Sequence, residues 1–242
     1  MSRPSSTRSS AAAVGNDPAP REAYHHGALR DALIDATEVL IAERGAQGFS
    51  LREVARRSGV SPAAPAHHFG DAAGLLAAVA KLAFDQLTEA LEAGNARGGD
   101  DPLERLCEQG VGYVGFALAW PGRFALMFRA DLFTKDEALV ASADAAYQVL
   151  EDGIRGLYAV APGTLLAPEQ EHALRATWSM VHGFAHLMLA GQFDADLPRG
   201  GRAALARQAV APMLRQHLAP LQPLPPGARR RPRGASSSAP RR

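Results

Sequence analysis

Residues 50–62 read Ser50-Leu51-Arg52-Glu53-Val54-Ala55-Arg56-Arg57-Ser58-Gly59-Val60-Ser61-Pro62, and the architecture around them follows from that order. Ser50 and Glu53 stand three apart, the spacing at which a hydroxyl and a carboxylate satisfy each other's free amides at a helix start. This predicts a helix over 51–58. Ala55 is small where a second helix must cross closely, and Gly59, four residues on, accepts the left-handed backbone that ends a helix abruptly. Val60 is an apolar plug beneath the turn. Ser61 is a cap and Pro62 is preset for a first helical position, so a short helix is expected over 62–69. Together these are the requirements of a tight helix-turn-helix.

Such a turn can be purely architectural or can present a helix to DNA. The second helix favours DNA. Its outward residues Ala63, Ala64 and His67 are small or polar, while Phe69 closes the core. A slim helix can lie deep in a major groove near base edges. Arg52, Arg56 and Arg57 can hold phosphates, or can simply form a solvated helix face.

Outward from this unit the apolar spacing is helical throughout. Leu29, Leu33, Ala36 and Leu40 give an opening helix over 27–43, stopped by Gly45. A fourth helix follows Asp71 toward Ala93, and the Gly-rich stretch 94–100 reads as a connection between domains. Further helices are expected over 102–120 and 121–128. Another, opened by a Thr134–Glu137 capping box, should reach Tyr158, and the last two cover 168–190 and 201–218. The fold class is all-α, with about nine helices. Residues 1–23 and 219–242, rich in Ser, Ala, Pro and Arg, read as a disordered arm and a disordered basic tail.

Bulk properties exclude more than they identify. The chain has 242 residues and a net charge of +1. Six of its 26 basic residues follow Leu218 with no acid among them, so the remainder is mildly acidic. Any affinity for nucleic acid must therefore come from local residues. No apolar run approaches the roughly 18 residues that span a membrane. Cys107 is the only cysteine, which rules out an internal disulfide and suits a cytoplasmic location. No phosphate loop, nucleophile elbow or paired-carboxylate pattern supports an enzyme, and no cofactor is expected.

Residues 24–82 resemble the tetracycline-repressor (TetR/AcrR) family: an opening helix, the turn above, then His68-Phe69-Gly70-Asp71 leading into an apolar fourth helix. The spacing Trp178-x-x-x-His182-Gly183 resembles the WHG-type C-terminal domain of one branch. The resemblance implies a DNA-binding head over 24–70 and an effector-binding and dimerisation domain over 71–218. It implies a homodimeric regulator, of repressor type, on a palindromic site in double-stranded DNA. The expected DNA-contacting set is Ser50, Arg52, Arg56, Ser61, Ala63, Ala64, Ala66, His67 and His68. Family members usually carry an aromatic, mostly Tyr, at the position of Ala66 and Lys at that of Ala72, both phosphate contacts. Their absence leaves open a helical interaction or scaffold protein without DNA affinity.

The expected pocket for a small hydrophobic effector comprises Tyr113, Phe116, Trp120, Phe124, Met127, Phe128, Tyr147, Trp178 and His182. His182 and His186 share a helical face at a spacing that can ligate zinc, but no third ligand completes a site, and a buried or interface pair is the plainer reading. Dimerisation is expected through an apolar stripe of Leu174, Trp178, Val181, Ala185 and Met188 and a second of Leu205, Val210, Met213 and Leu214.

Overall fold

A computed structural model of the chain describes residues 19–221 apart from 47 and 135, with only the backbone described for 19–27 and 196. Among the described residues there are nine α-helices and no strand: α1 (Ala19–Arg44), α2 (Leu51–Arg57), α3 (Ala64–Phe69), α4 (Ala72–Arg97), α5 (Pro102–Ala119), α6 (Pro121–Met127), α7 (Glu137–Tyr158), α8 (Pro168–Leu189) and α9 (Gly201–Leu218). No helix among them is long and apolar enough to cross a membrane.

Two cores share one helix. The first gathers Leu33, Leu40 and Ile41 of α1, Val54 of α2 and Leu75, Leu76 and Val79 of α4. The second gathers Ala83, Leu87 and Leu91 of α4 with residues of α5 to α9. The 26-residue α4, about 39 Å long at 1.5 Å per residue, thus has its N-terminal half in the head and its C-terminal half in the larger body. Leu126 of α6 and Leu139 of α7 also enter the first core, so head and body pack directly.

Several expectations shift. α1 begins at Ala19 rather than near Gly27. The stretch 94–100 is no linker: α4 continues to Arg97, and a Cβ on Gly94 would lie 2.5 Å from the Glu108 carbonyl oxygen. Its hydrogen side chain is what lets α5 cross there. The cap of α7 is Asp136, whose carboxylate accepts from the Leu139 amide at 2.7 Å, and not Thr134. A carboxylate one residue before the helix fits the free amides better than a hydroxyl three residues before it. After α9 a 3-10 turn, Ala219–Leu221, packs Leu221 on the body. The arm 1–18 and the tail 222–242 lie outside the described residues.

The expected dimer stripe is the largest correction. Leu174, Val181, Ala185, Met188, Val210 and Leu214 are all buried inside the single chain. Gly110 on α5 is the reason: a Cβ there would sit 2.3 Å from Leu214 Cδ1 and 3.1 Å from Val181 Cγ1. The glycine lets α8 and α9 settle on α5. Leu205 and Met213 lie on the other side of α9, and both are only half-buried.

Candidate functional site

The turn between α2 and α3 is built as its residues require. Ser50 Oγ accepts from the Glu53 amide at 3.3 Å, but the Glu53 carboxylate does not return to the cap; it is held by Arg56 and Arg57. Half of the expected capping box therefore forms. Gly59 has φ +67, Val60 N–H donates to the Ala55 carbonyl at 3.0 Å and Gly59 N–H to that of Arg56 at 3.3 Å, the bond pair of a Schellman stop. Ser58 Oγ reaches the Ala32 carbonyl at 3.3 Å and fixes α2 on α1.

α3 starts two residues later than the sequence suggests. Its N-cap is Ala63, with no side-chain hydrogen bond, and Ser61 contributes only its carbonyl, to the Ala64 amide at 3.0 Å. Pro65 consequently falls in the first turn, where an amide needs no helical partner, and it is buried. α3 therefore tolerates this proline. Ser61, Ala63, Ala66 and His67 are exposed, while Ala64 and His68 are partly covered. Gly70 at φ +78 ends α3, and Asp71 Oδ1 caps α4 through the Gly74 amide at 2.8 Å.

The three arginines of α2 are not equivalent. Arg56 donates to both Glu53 oxygens at 3.0 and 2.8 Å. Arg57 donates to both oxygens of Glu43 on α1, at 2.9 and 2.5 Å. These guanidiniums, chiefly that of Arg56, hold the Glu53 carboxyl far down, at about 2. Arg52 is exposed and has no carboxylate beside it among the described residues. It is the α2 cation whose charge is uncompensated.

The second site is an open-mouthed cavity of about 430 Å³ between α4, α5, α7 and α8, bordered by Met127, Phe128 and Ala130. Of the nine residues expected to line it, Tyr113, Met127, Phe128, Tyr147 and Trp178 do so; Phe116, Trp120, Phe124 and His182 do not. Phe116 and Phe124 are core residues, 5% and 0% exposed. Trp120 lies on the surface with the Arg123 guanidinium 4.0 Å from its ring centroid. His182 sits behind the wall and is bonded to it: Trp178 Nε1 donates to Tyr113 Oη at 3.4 Å, and the Tyr113 hydroxyl and His182 Nδ1 share a hydrogen bond of 2.8 Å. Burial pushes the Tyr113 hydroxyl up to about 12, so it keeps its proton. Burial, then the neighbouring His186, lowers His182 and favours its neutral ring. The rings of His182 and His186 are 4.5 Å apart, and no group of three metal-ligating side chains forms among the described residues.

Sequence reasoning missed the polar part of this wall. Gln109 on α5 is 2% exposed, and Asp144 on α7 is exposed at the rim. A lone amide on the buried face of an apolar helix was the available signal for Gln109; Asp144 gives none, because surface helices carry many such acids.

Comparison with known proteins agrees with this geometry. Residues 33–79 match the family model of bacterial regulatory proteins, tetR family, and residues 106–213 that of the tetracyclin repressor-like C-terminal domain; together they span more than half the chain. The HTH-type transcriptional regulator BetI of Stenotrophomonas maltophilia (strain R551-3) is 38% identical over 77 residues, a match spanning 32% of this chain and 39% of that protein. A solved protein of unknown function from Rhodococcus sp. RHA1 is 30% identical, with TM-score 0.65, over 81% of this chain and 98% of its own. The TetR family regulator PfmR of Thermus thermophilus shares the fold at 23% identity and TM-score 0.58, over 76% of this chain and 97% of its own. With a glycine-stopped helix-turn-helix, a shared lever helix and a body of five further helices, the chain belongs to the TetR family of transcriptional regulators.

Proposed function

We propose that this chain is a ligand-responsive repressor that acts in the cytoplasm as a homodimer on a near-palindromic operator. The observation that carries the reading is α3 itself: a slim helix presenting Ala63, Ala66 and His67 to solvent directly after the glycine turn. Nothing bulky on that face blocks approach to base edges. Arg52 beside it supplies a free cation for a phosphate. The cavity in the body accepts a small apolar effector, and α4, seated in both cores, carries the resulting displacement to the head.

Pairing of two chains uses the faces of α8 and α9 turned away from the core. Ala176, Gly183 and Leu187 recur along one side of α8, with Met180 at its edge against the core, and Leu205, Ala209, Pro212 and Met213 along the outer side of α9. All are exposed or half-buried, and Leu187 is 47% exposed. A two-fold pairing would set the two α3 helices about 34 Å, one DNA turn, or a multiple of it apart.

Selection of bound duplexes from a random pool tests this. Enrichment of a two-fold symmetric site is the expected result; no enrichment over input at low salt would overturn it. One observation favours a second reading, a scaffold role without DNA. Ala66 and Ala72 are exposed and offer no phosphate contact, while Arg56 and Arg57 are neutralised by acids. A scaffold would show no salt-dependent affinity for duplex DNA of any sequence.

A further inference from the structure

We infer that the cavity selects a hydrophobic amine, an apolar body with a cationic nitrogen at its outer end, over a carboxylate of the same shape. This rests on the effector reading above and adds the charge of the ligand. Three observations carry it.

The first is the sign of the wall. Among the described residues no Arg, Lys or His lines the cavity, and its one ionic group is the Asp144 carboxylate. Asp144 has no ion-pair partner among them. Two described arginines adjacent to lining helices are already committed. Arg129 donates to both oxygens of Asp131 at 2.8 and 2.7 Å, and Arg175 donates to Glu171 at 3.0 Å. Along the described lining a carboxylate ligand would meet one uncompensated negative charge and no positive one.

The second is the rim. Phe128, Tyr147 and Trp178 belong to the cavity lining and are 39%, 41% and 38% exposed, although large apolar side chains are usually covered. Tyr147 and Trp178 meet edge to face at 6.1 Å. Aromatic faces beside a carboxylate attract a cation through ring quadrupole and charge together. The same faces offer nothing to an anion.

The third lies deeper. Gln109 Nε2 donates to Asn95 Oδ1 at 2.5 Å and to the Val149 carbonyl at 3.2 Å. A backbone carbonyl can only accept, so the Val149 bond fixes which end of the Gln109 amide is which. That leaves Gln109 Oε1 buried and without a hydrogen-bond partner among the described residues, on a residue of the cavity wall. That acceptor is closed off from the cavity, and both Nε2 hydrogens are spent on Asn95 and Val149, so Gln109 presents no donor to a carboxylate ligand. Neither Asp144 nor Gln109 thus offers a carboxylate a hydrogen-bond donor, and Asp144 calls for positive charge.

The test uses the full chain and three probes of one skeleton: 6-phenylhexylamine, 6-phenylhexanol and 6-phenylhexanoate. Binding is followed by calorimetry at neutral pH. The amine should bind about ten-fold tighter than the carboxylate, with the alcohol between them. Asp144→Asn, at an exposed site that leaves the fold intact, should erase most of the amine's advantage and leave the alcohol unchanged. Equal binding of all three, or a preference for the carboxylate, would overturn the charge selectivity while leaving the effector cavity standing. If none of the three binds up to its solubility limit, the cavity is not an effector site and both readings fall.

Discussion

The guanidinium of Arg123 on α6 is paired with the carboxylate of Glu38 on α1, its Nη2 donating to Glu38 Oε2 across 2.6 Å. Arg123 is 6% exposed; it also donates to Gln86 on α4 and covers the Trp120 ring. One cation therefore ties the head helix, the lever helix and the start of the effector body. Glu38→Gln would leave that cation buried and uncompensated, a loss of about 3 kcal/mol. The expected outcome is a lower denaturant midpoint at unchanged slope. An unchanged midpoint would show that the Glu38 charge contributes nothing net to stability.

On the DNA face the arginines of α2 should separate by what already holds them. Arg52→Ala should weaken binding to every sequence and reduce the salt slope by about one unit. Arg56→Ala should do less, because Glu53 competes for that guanidinium. His67→Ala should mainly relax sequence preference. Fluorescence anisotropy across a salt series distinguishes the three, and equal losses for Arg52 and Arg56 would contradict the ion-pair argument.

Two glycines on α5, one turn apart, should respond oppositely to alanine. A Cβ on Gly112 would lie 2.4 Å from the Ala90 carbonyl oxygen, backbone that cannot move aside, whereas Gly115 is exposed with nothing within 4 Å. Gly115→Ala should stabilise by about 1 kcal/mol through helix propensity. Gly112→Ala should destabilise by about 1–3 kcal/mol by forcing α4 and α5 apart. Thermal melts of both variants decide it.

These contrasts mark where the sequence was legible. The Ser50 cap and the Gly59 stop were readable because each depends on neighbours within five residues. Glu53 was half readable: its spacing announced the cap, yet Arg56 and Arg57 outcompete the amide for its carboxylate. Gly94 read as a linker because glycine in isolation signals a break, and only the approach of Glu108 on another helix gives it a different meaning. The aromatic residues of the cavity could be gathered by type, but which of them face the void depends on how α4, α5, α7 and α8 meet. Phe124 and Phe128 lie four apart, and only Phe128 lines it.

His182 carries a pH dependence with a definite sign. Its folded value lies below the ordinary 6.5, from burial first and His186 second. The unfolded chain therefore binds the proton more readily. The contribution of His182 to stability is complete above about 6.5 and is lost as pH falls from there through its folded value. Proton-resonance titration of the His182 ring should give a midpoint under 6.5. His186→Ala should raise that midpoint, since the neighbouring His186 is what lowers it beyond burial.

Adjacent residues of α9 offer the sharpest test of how two chains pair. Leu214 is fully buried against Gly110, and Met213, one residue earlier and so about 100° around the helix, is half-buried on the outer side. Leu214→Glu places a carboxylate in a closed apolar core, which costs far more than a folded chain of ordinary stability can absorb. That variant should be recovered unfolded or aggregated, and says nothing of assembly. Met213→Glu adds a charge to a face that solvent already reaches, so the chain should fold with its melting temperature little changed at low concentration. If the outer faces of α8 and α9 form the dimer, the two-fold axis brings two such carboxylates into one apolar seam. Light scattering should then report a monomer, and binding to a symmetric DNA site should fall toward that of a single half-site. A Met213→Glu protein that remains a dimer of unchanged affinity would move the interface to another surface.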